Sequence, residues 1–257
     1  MKFLFLARWQ AALRYHDIPG AGAPLVFVHG LGCSSSSDYP SVAGQERLAG
    51  RRRILVDLLG SGFSDRPDEF SYEIEAHAET VSSVIADLGI SRADVYGHSM
   101  GGAVAIVMAS RQPEQVSGLI LSEPNLDPGG GFFSRQIAGQ SEAAYAEAGH
   151  ERMIREAMAG GNAIWAGTMA ASSAIAVHRA ARSLVKGSEP SWRQQLAALK
   201  LPRTVVFGEQ TLPDPDMEAL PTLGVRVAIV ARTGHSMAWE NPCGVANAIA
   251  DALSEGC

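Results

Sequence analysis

Val95-Tyr96-Gly97-His98-Ser99-Met100-Gly101-Gly102 is the stretch on which the reading turns. A short apolar strand runs directly into a helix through Gly-x-Ser-x-Gly, the context in which a serine is held as a nucleophile. Ser99 must occupy a tight, strained turn, and a side chain at 97 or 101 would collide with the adjoining strand and helix. The turn lifts the hydroxyl to the carboxyl end of a sheet. It also aims a helix N-terminus at the place where negative charge would develop. His98, inside the motif, reads as a structural flank whose side chain points away from that of Ser99.

Working outward, other short apolar runs read as strands at 3–8, 11–16, 24–28, 53–57, 93–96, 117–121, 203–207 and 225–230. The first two look like an antiparallel pair. Most of the rest are continuous rather than alternating, as in parallel strands buried on both faces. Helical spacing separates them at 72–89, 100–111 and 243–254. The expectation is an α/β fold: a doubly wound, mostly parallel sheet of about eight strands. Between 127 and 200 only Ala-rich helical pattern occurs. It is read as a helical cap inserted after the sixth strand, with the core formed by 1–126 and 201–257.

Strand 24–28 ends in His29-Gly30-Leu31-Gly32-Cys33. A developing oxyanion needs two convergent donors, best supplied by main-chain N–H groups that cannot rotate away. Met100, after the serine, supplies one and Leu31 the other. His29 reads as a loop brace. The base is His235, in Arg232-Thr233-Gly234-His235 beyond the last strand, since neutral imidazole is suited to taking the serine proton near neutrality. Of the other histidines, His16 and His77 fall in a peripheral strand and helix, and His150 and His178 in the cap.

These segments, with Asp57-Leu58-Leu59-Gly60-Ser61-Gly62-Phe63-Ser64-Asp65-Arg66-Pro67, make the chain resemble the α/β-hydrolase superfamily over nearly its whole length. Leu59 stands where that loop usually carries proline. The resemblance implies a Ser–acid–His triad. Its usual acid position, Gly-x-x-Asp after the penultimate strand, reads Gly208-Glu209-Gln210-Thr211, and threonine cannot stabilise an imidazolium as a carboxylate does. Haloalkane dehalogenases and zearalenone lactonases carry the acid at the end of the strand after the nucleophile helix. Glu123 matches that position, with Glu209 and Asp214 as alternatives. Burial at a strand end would also oblige Glu123 to find a partner.

With 46% hydrophobic residues in 257, the chain can bury a full core. Its net charge of −6 and scattered cations argue against nucleic acid or a membrane surface as partner. Arg51-Arg52-Arg53 reads as a solvated strand entry. Three cysteines, Cys33, Cys243 and Cys257, form no CxxC pair and are expected free in a reducing compartment. The N-terminal apolar run is broken by Arg8 and lacks a signal peptide's features, so a cytoplasmic protein is expected. No metal-ligand spacing or dinucleotide fingerprint occurs, and the chemistry needs no cofactor. Phe132, Phe133, Trp165, Met169, Met237 and Trp239 are candidates for an apolar pocket. The expected activity is hydrolysis of a small or medium apolar ester or lactone. Carbon–carbon bond hydrolysis, cofactor-free perhydrolysis and a catalytically weak small-molecule receptor are the alternatives.

Overall fold

Each of the eight apolar runs is a strand in the computed structural model, which describes residues 1–254. They are β1 (Lys2–Leu6), β2 (Ala11–Ile18), β3 (Ala21–Val28), β4 (Arg51–Val56), β5 (Ala93–His98), β6 (Val116–Ser122), β7 (Arg203–Gly208) and β8 (Arg226–Val230). They form one sheet in the order β1-β2-β4-β3-β5-β6-β7-β8. β1 and β2 run antiparallel to each other, and β2 antiparallel to β4. The other neighbours are parallel. Continuous hydrophobicity follows from burial on both faces: along β3, Val26 and Val28 join one core and Leu25 and Phe27 the other.

Helices Ile74–Asp87 and Met100–Arg111 cover the first face, and Pro242–Ser254 covers the second. Helix Met100–Arg111 is buried from Met100 to Ala109, which is why its sequence is apolar all round. The chain goes from β3 to β4 on one side and then crosses back to place β5 on the other. Loops leaving the carboxyl ends of β3 and β5 therefore diverge and open a crevice, where doubly wound sheets bind ligands.

Between β6 and β7 the described elements are helical, from Phe132–Ala138 to Trp192–Ala198. Most build a separate apolar cluster around Ile137, Tyr145, Trp165 and Met169. The last one does not: Trp192 and Leu196 are buried in the main core. Helical spacing reveals that a face is apolar and not which neighbour receives it.

The arginine run departs from its expected solvation. Arg51 meets Asp94 at 2.8 Å, Arg52 meets Asp17 at 2.9 Å, and buried Arg53 donates to the Ala43 carbonyl at 2.7 Å. Acids on β2, next to β4, and on β5, one strand beyond β3, pair the first two, and backbone carbonyls satisfy the third. Cys33 and Cys243 are free; Cys257 lies outside the described residues. Among the described residues no helix is long and apolar enough to cross a membrane.

Candidate active site

The site is built from strand ends. Ser99 follows β5 with φ 52° and ψ −115°, a conformation that L-residues rarely adopt and that surrounding structure must impose. A Cβ on Gly97 would overlap the Gly101 carbonyl, and one on Gly101 would overlap the carbonyls of Val28 and His29. The two glycines thus allow strand, turn and helix to close on one another.

β5 and β6 are in register with His98 opposite Ser122, so the next residues, Ser99 and Glu123, leave the sheet side by side. Glu123 also has a left-handed backbone, φ 46°. Its main-chain N–H continues the ladder to the Val206 carbonyl at 3.1 Å while its side chain turns along the strand ends. Oε1 accepts from the Gly208 N–H at 2.8 Å and the Thr211 hydroxyl at 2.6 Å. Oε2 lies 3.9 Å from His235 Nδ1. Burial alone would raise the carboxyl pKa. His235, the Thr211 hydroxyl and the Gly208 N–H together outweigh it and hold the group below its ordinary value, ionised.

His235 sits in the turn after β8, its side chain half-exposed. The turn is braced by Gly234 N–H to Glu240 at 2.6 Å and Gln210 N–H to the Thr233 carbonyl at 2.8 Å. The His98 ring packs 4.8 Å from that of His235, centroid to centroid, and its Nδ1 is 2.9 Å from Ser122 Oγ. Burial, and then His235, push the His98 pKa well down, so His98 is a neutral support beneath the second imidazole. Glu209 accepts from the Arg232 N–H in the loop after β8, and Asp214 from the Asp216 N–H, each at 2.8 Å.

The loop after β3 lies against this turn: a Cβ on Gly30 would come 3.4 Å from the Ser99 Cβ. Its brace is His29, whose buried Nε2 accepts from the Leu58 N–H at 3.0 Å. Leu31 begins the turn after β3, and Met100 begins the helix that follows Ser99. From the cap, Trp165 Nε1 donates to the Leu31 carbonyl at 3.0 Å and so ties the cap to this loop.

Ser99, His235 and Glu123 share a cavity of about 420 Å³. Phe132, Phe133, Trp165 and Trp239 line it, with Leu31 and Leu184. Met169 and Met237 do not. Both are fully buried, Met169 in the cap cluster and Met237 against the core under helix Pro242–Ser254. An apolar side chain in sequence does not declare whether it faces a cavity or a core. A larger cleft of about 780 Å³, walled by Glu69, Glu73, Arg111 and Lys186, holds none of these three groups.

Sequence reasoning missed two contributors. Thr211 donates a hydrogen bond to Glu123; the signal was the departure from Gly-x-x-Asp itself. Asp38 lines the cavity from helix Ser35–Asp38. Its only trace in sequence is one acid ending the run Ser34–Ser37, too little to assign a role. A hydroxyl, an imidazole and a carboxylate lining one cavity are the kinds of group that acyl transfer by a serine nucleophile employs.

The family model for the alpha/beta hydrolase fold matches residues 23–242. Over 107 residues the chain is 38% identical to a 2-hydroxymuconate semialdehyde hydrolase of Pseudomonas putida, covering 41% of this chain and 37% of that protein. Over 148 residues it is 31% identical to lipase 3 of Moraxella sp., covering 57% of this chain and 44% of that protein. The matches thus span less than half the length of these curated relatives. A thermophilic esterase from Thermogutta terrifontis superposes with a TM-score of 0.81 at 22% identity, covering 99% of both chains. The N-acyl homoserine lactonase AidH does so with 0.76 at 23% identity, covering 99% of this chain and 97% of its own. At such identity the likeness speaks to the fold.

Proposed function

Since the chain belongs to the α/β-hydrolase fold family, we propose that it is a serine hydrolase cleaving a small or medium apolar ester or lactone through an acyl-enzyme. The observation that carries this reading is Glu123. A largely buried carboxylate on a strained left-handed residue, held by Thr211 and Gly208, faces His235 from the strand end next to Ser99. Strain of this kind persists where a site requires it.

The Ser99 hydroxyl attacks the substrate carbonyl carbon as His235 takes its proton, and Glu123 stabilises the imidazolium. The oxyanion is held by the N–H groups of Leu31 and Met100. Collapse breaks the carbon–oxygen bond, and His235 returns the proton to the departing alkoxide, which in a lactone stays tethered to the acyl group. Water, deprotonated by His235, then releases the acid and restores Ser99. The apolar cavity walls favour uncharged acyl and alcohol groups. The lipase, esterase and lactonase names among the similar proteins accord with this class.

A fluorophosphonate probe tests the proposal: it labels the wild type at Ser99 and leaves Ser99→Ala unlabelled. An unlabelled, stably folded wild type would overturn it in favour of a binding protein. A second reading, carbon–carbon bond hydrolysis, draws on the Pseudomonas relative. Among the described residues no lysine or arginine lines the cavity to receive the carboxylate that a muconate-type substrate carries. A panel of esters, lactones and ring-fission dienoates separates the two by which class turns over.

A further inference from the structure

The wall of the Ser99 cavity carries polar side chains that no step of the mechanism uses. Most of them are already bonded. Tyr39 and Ser134 give their hydroxyls to the Val28 and Gly131 carbonyls, at 3.3 and 3.1 Å. Asp38 is buried and engaged by the Cys33 thiol and the Trp239 N–H. Two carboxamides differ. Asn125 and Asn162 line the cavity half-buried, and neither side chain has a hydrogen-bond partner among the described residues. Neither amide is sealed from solvent. Asn125 lies two residues beyond Glu123, and its main-chain N–H donates to the Ser99 carbonyl at 3.3 Å. Asn162 comes from the cap, at the N-cap position of helix Ala163–Ala170. An asparagine there usually accepts a bond from the first turn, and this one makes none. Three residues on, Trp165 ties the same helix to the Leu31 loop. One free amide thus belongs to the core wall beside the nucleophile and the other to the cap wall.

We propose that Asn125 and Asn162 select a substrate bearing an uncharged amide, an acylamino ester or an acylamino lactone. A carboxamide offers an acceptor oxygen, two N–H donors and no charge, so its complement carries both functions and no charge. Solvent meets both needs before substrate arrives. A wholly apolar substrate expels that solvent and leaves the carboxamides unpaired, which costs binding. An amide-bearing substrate replaces the lost bonds, and the apolar walls still take the rest of it. Because Asn125 is bonded to the nucleophile's own carbonyl, an amide held there is fixed relative to the reacting centre. The inference rests on the ester or lactone reading for its chemistry, and the test separates the two.

Esters and lactones carrying an acylamino group at successive carbons from the reacting carbonyl are each paired with the analogue in which two methylenes replace the amide. Affinity is measured by calorimetry on Ser99→Ala, and kcat/KM on the wild type. At least one amide member is expected to exceed its partner by about tenfold in both readouts, since a site built for a polar group rejects the analogue lacking it. Asn125→Leu and Asn162→Leu are each expected to cut that ratio by about threefold or more. A purely structural role would weaken both members of a pair alike and leave the ratio standing. Should Asn125→Leu fail to fold, Asn162→Leu, on the cap wall, decides the matter. No preference in any pair, or a preference that either substitution leaves intact, overturns the proposal. Because Ser99→Ala binding needs no turnover, a wild type that hydrolyses nothing counts against the hydrolase reading alone.

Discussion

At position 211 a hydroxyl stands where related patterns carry the acid, and in the proposed reading Glu123, at the end of the neighbouring strand, takes that role. The Thr211 hydroxyl then orients the relocated carboxylate at 2.6 Å. Glu123→Gln removes the charge that supports the imidazolium and is expected to lower kcat by about two to four orders of magnitude. Adding Thr211→Asp returns a carboxylate to the usual place. The double variant is expected to recover at least about tenfold in steady-state assays, and no recovery would show that position 211 cannot reach His235. Asp38 makes a second prediction at this scale. Its pKa, raised by burial from 3.8 to about 7, means that the unfolded chain ionises first as pH rises. Stability from this group is thus whole below about pH 4 and falls as pH climbs to about 7, on the order of a few kcal/mol. Asp38→Asn does not titrate, so its stability relative to wild type should rise over that interval in urea unfolding. A constant difference would refute the assignment.

Among the elements, the helical cap and the loop after β3 are joined by Trp165 Nε1 and the Leu31 carbonyl. Leu31 is the residue proposed to supply an oxyanion donor, so on that reading the bond steadies the donor loop. Trp165→Phe keeps the ring and its stacking on Phe133, 4.5 Å between centroids, but loses the bond. A hydrogen bond of this kind is worth about 1 kcal/mol, so kcat should fall about fivefold with little change in KM. A rise in KM alone would instead make Trp165 a substrate contact. The elbow is the other element that admits no latitude, because the space of a Cβ at Gly101 is already taken by the Val28 and His29 carbonyls.

Across the whole molecule, strand order decides which carboxylate meets the histidine. Glu123, Glu209 and Asp214 all lie near the carboxyl edge, but Glu209 accepts from the Arg232 N–H and Asp214 from the Asp216 N–H. Glu209→Ala and Asp214→Ala should each keep kcat within about threefold of wild type, since surface substitutions away from the chemistry cost little. A collapse of turnover in either would displace Glu123. All eight strands were legible beforehand, because burial on two faces writes continuous hydrophobicity into the chain. The elbow was legible too, because only glycine fits where backbones touch. Local constraint was enough to determine these features from the sequence by itself. The approach of Glu123 to His235, its bond from Thr211, the pairing of the arginine run and the place of Met169 and Met237 are contacts between residues far apart in the chain. Only the tertiary structure decided them, since a side chain's partner depends on which strand ends the fold brings to one edge.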